Sequence, residues 1–378
     1  MKIHHSIRQT LAPAALLLAA TPALAQTPVR ATVPRLEMVF VLDTTGSMGG
    51  MIDAAKQKVW SIVNGVLKSP DHPTVRVGLV AYRDHGDAYV TKITPLTSDL
   101  DKVYATLMDY RADGGGDTPE DVRQALSDGV HKAGWSPRAP RLAQVLFLVG
   151  DAPPHDDYAQ EPSTLATTAQ AVGAGLVVNT IECGSAEDTR AAWQAISRRG
   201  EGQFFAIAED GGVQSVPTPY DKPLAALGTR MGGTYLAYGG TAAHRSATAA
   251  GAARMEMRVS ASAPAPAAAD RAVNKALNSS AYDGDLLQSL DDGSVRLDSL
   301  KDAELPDDLR KLSPAARKVE ISRRLQTRRG MRAQILSLSR KRDAYLAGMA
   351  NRGHKSGGLD AAVTAALRKE LAPRGIRL

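Results

Sequence analysis

From residue 36 to residue 238, short apolar runs alternate with stretches of helical periodicity. Val39-Phe40-Val41-Leu42 and Val145-Leu146-Phe147-Leu148-Val149 are unbroken apolar runs, the pattern of strands buried on both faces of a parallel sheet. Three further strands are predicted over 75–81, 176–181 and 204–207, with an edge strand over 88–93 after a hairpin-length connection. Helices are predicted over 50–67, 100–110, 120–133, 163–174, 189–199 and 223–236. Repeated strand-helix units with such short connections specify an α/β fold. Its sheet is doubly wound and mostly parallel, with one antiparallel edge strand and helices on both faces.

Beyond Gly239 the pattern changes. Residues 240–270 are rich in Ala, Ser and Pro, including Ala263-Pro264-Ala265-Pro266, and read as a linker or a weakly packed helix. Residues 271–378 read as a basic, mainly helical extension. Ser313-Pro314 is a helix entry, with Ser as the cap and Pro at the first helical position. The stretch behind it runs to about residue 349, and a final amphipathic helix covers 359–371. The main domain is assigned to residues 34–239.

The N-terminus begins Met1-Lys2-Ile3-His4-His5 and continues into an apolar run over 11–20. It ends in Ala23-Leu24-Ala25. Basic start, short apolar middle and small-residue site describe a signal peptide over 1–25, cleaved after Ala25. The run is shorter than the roughly 20 residues a bilayer crossing needs, and no later stretch is long enough. The expected location is exported, periplasmic or extracellular.

Composition narrows the chemistry. The chain of 378 residues has one Cys, which excludes an internal disulfide framework and multi-Cys metal sites. Aromatic residues make up 4%, too few for a stacking-based nucleic-acid binder, and no nucleic-acid partner is expected. The formal charge is +6, yet residues 301–378 hold 19 Lys/Arg against 8 Asp/Glu. That surplus of +11 leaves −5 for everything before it. The Arg clusters at 323–324, 328–332 and 340–342 offer either a solvated helix face or a contact with an anionic surface.

Three loops carry candidate chemistry. Asp43-Thr44-Thr45-Gly46-Ser47 follows the first strand. Gly114-Gly115-Gly116-Asp117-Thr118-Pro119-Glu120-Asp121 opens a helix, and Asp151-Ala152-Pro153-Pro154-His155 follows the run ending at Gly150. Loops at the carboxyl ends of neighbouring strands converge on one crevice, so Asp43, Thr45, Ser47, Thr118 and Asp151 can meet. Hydroxyl and carboxylate oxygens suit a hard divalent cation, Mg²⁺ with Ca²⁺ or Mn²⁺ as alternatives. Asp43 and Asp151 are open to direct or water-mediated binding. Taken singly, Ser47 and Thr118 are ordinary helix caps.

These residues resemble the metal-ion-dependent adhesion site of von Willebrand factor A (vWA) domains, with Thr45 in place of the commoner Ser. The wording GGGDTPED and DAPPH resembles the bacterial secreted branch of that family. The resemblance implies a six-stranded Rossmann-like sheet of order 3-2-1-4-5-6 with the metal at its top. It also implies a metal-dependent protein-binding module for adhesion or assembly, whose partner presents an Asp or Glu to the cation.

Around that site, Arg83, Asp84, His85, Asp117, Glu120 and His155 are candidate partner-binding rim residues. The segment 83–87 reads equally as a solvated hairpin turn, and His155-Asp156-Asp157 as an exposed polar loop or a second cation site. Two other functions compete. A phosphotransferase of haloacid-dehalogenase type would use Asp43 as nucleophile, Asp151 on Mg²⁺ and Lys132 on phosphate. Against it, Thr45 stands where that family's acid/base Asp is usual, and no catalytic constellation is otherwise evident. A purely structural protein would assemble through its helical tail.

Overall fold

The computed structural model describes residue 1 and residues 33–116, 118–213, 215–350 and 358–378. Apart from Met1, the expected signal peptide lies outside the described residues. Residues 33–378 form one compact unit.

The α/β part runs β1 (Arg35–Asp43), α1 (Gly49–Leu67), β2 (Thr74–Tyr82), β3 (Thr91–Thr97), α2 (Leu100–Asp109), α3 (Val122–His131) and β4 (Leu142–Gly150). It continues with α4 (Thr164–Ala174), β5 (Val177–Cys183), α5 (Glu187–Arg199), β6 (Glu201–Ile207) and α6 (Asp221–Gly232). The helical part holds α7 (Ala242–Ser262), α8 (Ala265–Leu277), α9 (Leu286–Asp291), α10 (Asp307–Arg310), α11 (Pro314–Ala350) and α12 (Leu359–Leu371).

The strands lie in the order β3-β2-β1-β4-β5-β6. All neighbours are parallel except β2 and β3. The edge strand sits further along the chain than the 88–93 expected from sequence. Gly86 adopts φ 92°, so the turn extends past it before pairing begins at Thr91. Pro95 is tolerated because an edge strand has one side free of ladder hydrogen bonds.

Alternation along β1 divides the core. Leu36, Met38 and Leu42 face one side with Trp60, Val63, Tyr104 and Phe147. Val39 and Val41 face the other with Val122, Leu126, Leu146 and Trp193. Trp60 stacks on Tyr104 with centroids 4.1 Å apart. The chain order reverses at β1, whose neighbours β2 and β4 both run parallel to it, so Asp43 ends β1 at the topological switch point where α/β folds open a crevice.

The helical part departs from a linker followed by an appendage. Residues 240–270 form α7 and the first part of α8, up to Asp270, because Ala is the strongest helix former. Thr241 caps α7 by accepting from His244 N at 3.2 Å, and the prolines fall at the start of α8, where no N–H is missed. α8 packs so closely on α6 that a Cβ at Gly228 would come within 2.7 Å of Ala272 Cβ. α12 returns to the sheet: Leu359, Val363, Ala366, Leu367 and Leu371 are buried in the same core as β1 and β2.

The basic clusters of α11 are largely matched inside the fold. Arg328, 1% exposed, pairs with the fully buried Asp285. Arg342 Nε donates to Asp221 Oδ1 and its Nη1 to Asp270 Oδ1, both at 2.7 Å. Arg329 and Arg332 share Asp291, and Arg323 and Arg324 share Glu320.

Candidate metal centre

Asp43 is the last residue of β1 and is fully buried. Its Oδ1 accepts from the Thr45 backbone N–H at 2.9 Å and from the Thr45 hydroxyl at 2.7 Å. Its Oδ2 is buried and makes no hydrogen bond of normal geometry among the described residues, although the Tyr82 hydroxyl lies near enough to favour its ionised form. On the adjacent β4, Gly150 leaves the space this carboxylate occupies: a Cβ there would stand 3.1 Å from Asp43 Oδ2 and 2.5 Å from Tyr82 Oη.

Backbone hydrogen bonds draw the other two loops around it. Gly46 N donates to Gly114 O at 3.1 Å and Asp113 N to Thr44 O at 3.2 Å. Glu120 N donates to Pro153 O at 3.0 Å, and His155 N to Glu120 O at 3.2 Å. Gly114 and Gly115 take φ of 79° and 71°, which glycine adopts without penalty. A Cβ on Gly115 would approach Glu120 Oε1 at 2.9 Å and Thr45 Cβ at 3.0 Å.

The result is a concentration of buried negative charge. Burial, then the Asp151 charge, push Asp43 up to about 7, although both Thr45 hydrogen bonds oppose the shift. Glu120 rises to about 9, first through burial and then through Asp43, Asp84, Asp87 and Asp151. Burial also raises Asp151, while the nearby Ser47 hydroxyl pulls it down. Among the described residues, none of Asp43, Glu120 and Asp151 forms an ion pair with Lys, Arg or His. Such a set of oxygen donors fits a hard divalent cation, whose charge would offset the repulsion.

The structure thus brings together Asp43, Thr45, Ser47 and Asp151. Thr118 is exposed on the second loop and makes no side-chain hydrogen bond among the described residues. Of the rim candidates, His85 is exposed, whereas Arg83, Asp84, Glu120 and His155 are each under 9% exposed. Asp117 lies outside the described residues. Arg83 donates to Arg111 O at 2.8 Å, and Asp84 accepts from Tyr158 Oη at 2.9 Å. These two therefore support the loops from beneath. Glu120 lies close to Thr45 and the Asp43 charge, nearer the centre than the sequence indicated. Tyr82 and Gly150 were not singled out from sequence, and Asp87 only as the last residue of the 83–87 segment. Only the strand register, which pairs Asp43 with Tyr82, reveals the first. Lys132 ends α3 away from the site-facing N-terminus and pairs with Asp128 at 2.7 Å, so it is not placed to clamp phosphate beside Asp43.

Residues 37–218 match the von Willebrand factor A domain. Over 125 residues the chain is 37% identical to von Willebrand factor A domain-containing protein 7 of Rattus norvegicus and to that of Homo sapiens, covering 33% of this chain and 13% of each relative. It is 26% identical over 136 residues to an ariadne-like RING finger protein of Acanthamoeba polyphaga mimivirus, covering 34% of this chain and 13% of that protein. The chain therefore spans about an eighth of the length of these relatives. Among solved structures, the pilus adhesin SpaC from Lactobacillus rhamnosus GG in its open conformation aligns at TM-score 0.37 and 16% identity. That alignment covers 47% of this chain and 28% of the adhesin. Proximal thread matrix protein 1 from the mussel byssus aligns at TM-score 0.33 and 13% identity, over 47% of this chain and 43% of that one. The match to the vWA domain, a protein-interaction and adhesion module, spans β1 to β6, including all three site loops, and stops before α6. Within the described residues no helix is long and apolar enough to cross a membrane.

Proposed function

We propose that this chain is an exported vWA protein whose Asp43 site binds a divalent cation and, through it, an acidic side chain of a partner protein. The observation that carries the reading is Asp43 Oδ2, a buried carboxylate oxygen with only the Tyr82 hydroxyl near it, beside Asp151 and, among the described residues, in no ion pair with Lys, Arg or His. Asp43, Thr45, Ser47, Thr118 and Asp151 are the residues assigned to hold Mg²⁺, with Ca²⁺ or Mn²⁺ as alternatives. When bound, the cation supplies an electrophilic centre with a position for an oxygen from outside.

The chain's own residues prepare that role. Thr45 fixes the Asp43 rotamer through two hydrogen bonds. Gly150 leaves room for the carboxylate, and Gly114 and Gly115 let the second loop approach closely. Ser47 and Thr118 are exposed, so a partner reaches their hydroxyls without opening the fold. The proposal includes no catalytic step.

The test is a Mn²⁺ titration followed by electron paramagnetic resonance, with wild type and Asp43→Ala. Wild type is expected to bind Mn²⁺, Mg²⁺ to compete for it, and Asp43→Ala to lose it. Partner capture from the exported fraction should then require the metal and disappear with EDTA. Capture indifferent to EDTA, or Mn²⁺ binding unaffected by Asp43→Ala, overturns the reading. Turnover of a phosphoester that depends on Asp43 would instead favour the phosphotransferase.

A further inference from the structure

Three side chains outside the Asp43 cluster converge from separate loops. His85 comes from the β2–β3 connection, Asp121 caps α3, and Glu161 lies in the β4–α4 connection. His85 Nε2 stands 3.0 Å from Asp121 Oδ2 and 3.0 Å from Glu161 Oε1. One ligand atom from each residue lies within 4.8 Å of the other two. The adjacent residues Glu120 and Asp121 thus serve different clusters.

The local bonding leaves this cluster incomplete. Asp121 is fully buried; its Oδ1 caps α3 by accepting from Gln124 N at 2.8 Å. Among the described residues, its Oδ2 and Glu161 Oε2 are buried without an N–H or hydroxyl donor, and the two carboxyl groups face each other. Nε2 of a histidine carries at most one proton, which cannot serve two carboxylates at once. Arg123, the nearby guanidinium, donates to the carbonyls of His155, Asp156 and Glu161. It therefore shapes the loop through its backbone and leaves the two carboxylates to face the imidazole.

The surroundings hold these donors in place. The His85 ring lies against Tyr158 with centroids 4.4 Å apart, and Tyr158 Oη donates to Asp84 Oδ1 at 2.9 Å. His155 stacks on the same tyrosine at 4.1 Å. The His85 side chain is 52% exposed, against 10% for Glu161 and 0% for Asp121. The cluster is thus walled on the protein side and open where an ion would enter.

We infer that His85, Asp121 and Glu161 form a second metal site, selective for a borderline divalent transition ion of the Zn²⁺ class. An imidazole with two carboxylates suits such an ion better than Mg²⁺. Donors about 2.0–2.2 Å from a tetrahedral ion lie about 3.3–3.6 Å apart, so each carboxylate oxygen needs to draw back by a few tenths of an ångström from the 3.0 Å it keeps to His85 Nε2. Three protein ligands leave a fourth position at the exposed side. The ion would tie together three loops beside the Asp43 site, but the inference is independent of metal binding there.

The test uses Co²⁺ as the probe on the full chain, in excess Mg²⁺ to suppress binding at the Asp43 site. Wild type and Asp43→Ala are expected to bind Co²⁺ with the visible absorption of nitrogen and oxygen ligation. His85→Ala and Glu161→Gln should each weaken binding by about tenfold or more. Zn²⁺ should displace the Co²⁺. In the wild-type chain, Co²⁺ should shift or broaden the His85 ring resonances, a reading that needs no variant. Unchanged His85 resonances, or His85→Ala and Glu161→Gln binding Co²⁺ as wild type does, overturn the inference. Loss of Mn²⁺ binding by Asp43→Ala with Co²⁺ binding retained separates the two sites.

Discussion

Thr45 delivers its backbone N–H and its hydroxyl to the same oxygen of Asp43, at 2.9 and 2.7 Å, and leaves the other oxygen facing the Tyr82 hydroxyl. The carboxylate is therefore aimed before any ligand arrives. Thr45→Ser keeps both donors and is expected to retain divalent-metal affinity within about threefold, whereas Thr45→Val keeps the shape and loses the hydroxyl. The valine variant should lose about 1–2 kcal/mol of stability and about tenfold in Mn²⁺ affinity. Urea denaturation and Mn²⁺ titration of both variants measure the two effects. Equal affinity in the valine variant would show that the hydroxyl serves only the fold.

Gly150 controls the same carboxylate from the neighbouring strand. A methyl there meets Tyr82 Oη at 2.5 Å and Asp43 Cβ at 3.1 Å. Overpacking of this kind costs about 1–3 kcal/mol, and relief requires Asp43 or Tyr82 to move. Gly150→Ala is accordingly expected to lower both thermal stability and metal affinity. Ala at Gly173, where an added Cβ meets nothing within 4 Å, is the control and should leave affinity unchanged.

Much of this was legible in the sequence because the signals were local. Apolar runs marked β1 and β4, and the loops at their ends carried Asp43 and Asp151 in recognisable order. The burial of Glu120 was not legible: two residues past Thr118, it reads as an ordinary acidic residue in a helix's first turn. Its position follows from pairing with Pro153 and Pro154, a contact set by the third dimension. The His85 cluster was hidden for the same reason, its ligands coming from three connections far apart in the chain. Residues 240–270 left both readings open because their composition suits a linker and a helix alike. What decides is whether a surface such as α6 is there to be covered.

Glu256 makes the packing of α7 on α8 sensitive to acid. It binds Arg271 at 2.7 Å and also pairs with Lys275. Burial opposes its ionisation, but these cationic partners outweigh that and hold its pKa at about 2 against an ordinary 4.5. A depressed folded-state pKa contributes stability that is full above the unfolded value and is lost as pH falls through the folded one. Stability is therefore expected to fall as pH drops from 4.5 toward 2. Glu256→Gln should remove part of that slope and cost about 1–3 kcal/mol at neutral pH. Denaturant titrations across that range check it; an unchanged slope would assign acid sensitivity to other carboxylates.

The place of α12 in the sheet core predicts that the C-terminal segment is not separable. Leu367 is 1% exposed and Val363 fully buried, packed with residues of β1, β2 and α1. Leu367→Ala should cost about 2–5 kcal/mol and shift one cooperative melting transition for the whole unit. Removing residues 358–378 should expose the sheet and lead to aggregation. An independent low-temperature transition, or a truncated chain that melts like the full one, would return the segment to the status of an appendage.

The arginines of α11 distinguish a structural basic helix from one that binds anions. Arg328 donates to Thr234 O at 2.6 Å and to its hydroxyl at 2.8 Å, pairs with Asp285, and lies over the Tyr282 ring with its guanidinium carbon 5.0 Å from the centroid. Asp285 in turn accepts from Leu236 N and Gln288 N, so the backbone keeps it in its buried place if Arg328 is removed. Arg328→Met should therefore cost about 3–5 kcal/mol, the usual penalty for stranding one member of a buried pair. Arg323, whose side chain is 65% exposed and bound to Glu320, should lose less than about 1 kcal/mol on substitution by Ala. If α11 also contacts an anionic surface, the order reverses in a vesicle-binding assay with anionic lipid. Arg323→Ala would weaken adsorption at low salt, while a refolded Arg328→Met chain would adsorb as wild type does. Equal adsorption by wild type and Arg323→Ala would leave the basic residues of this helix as partners of the fold alone.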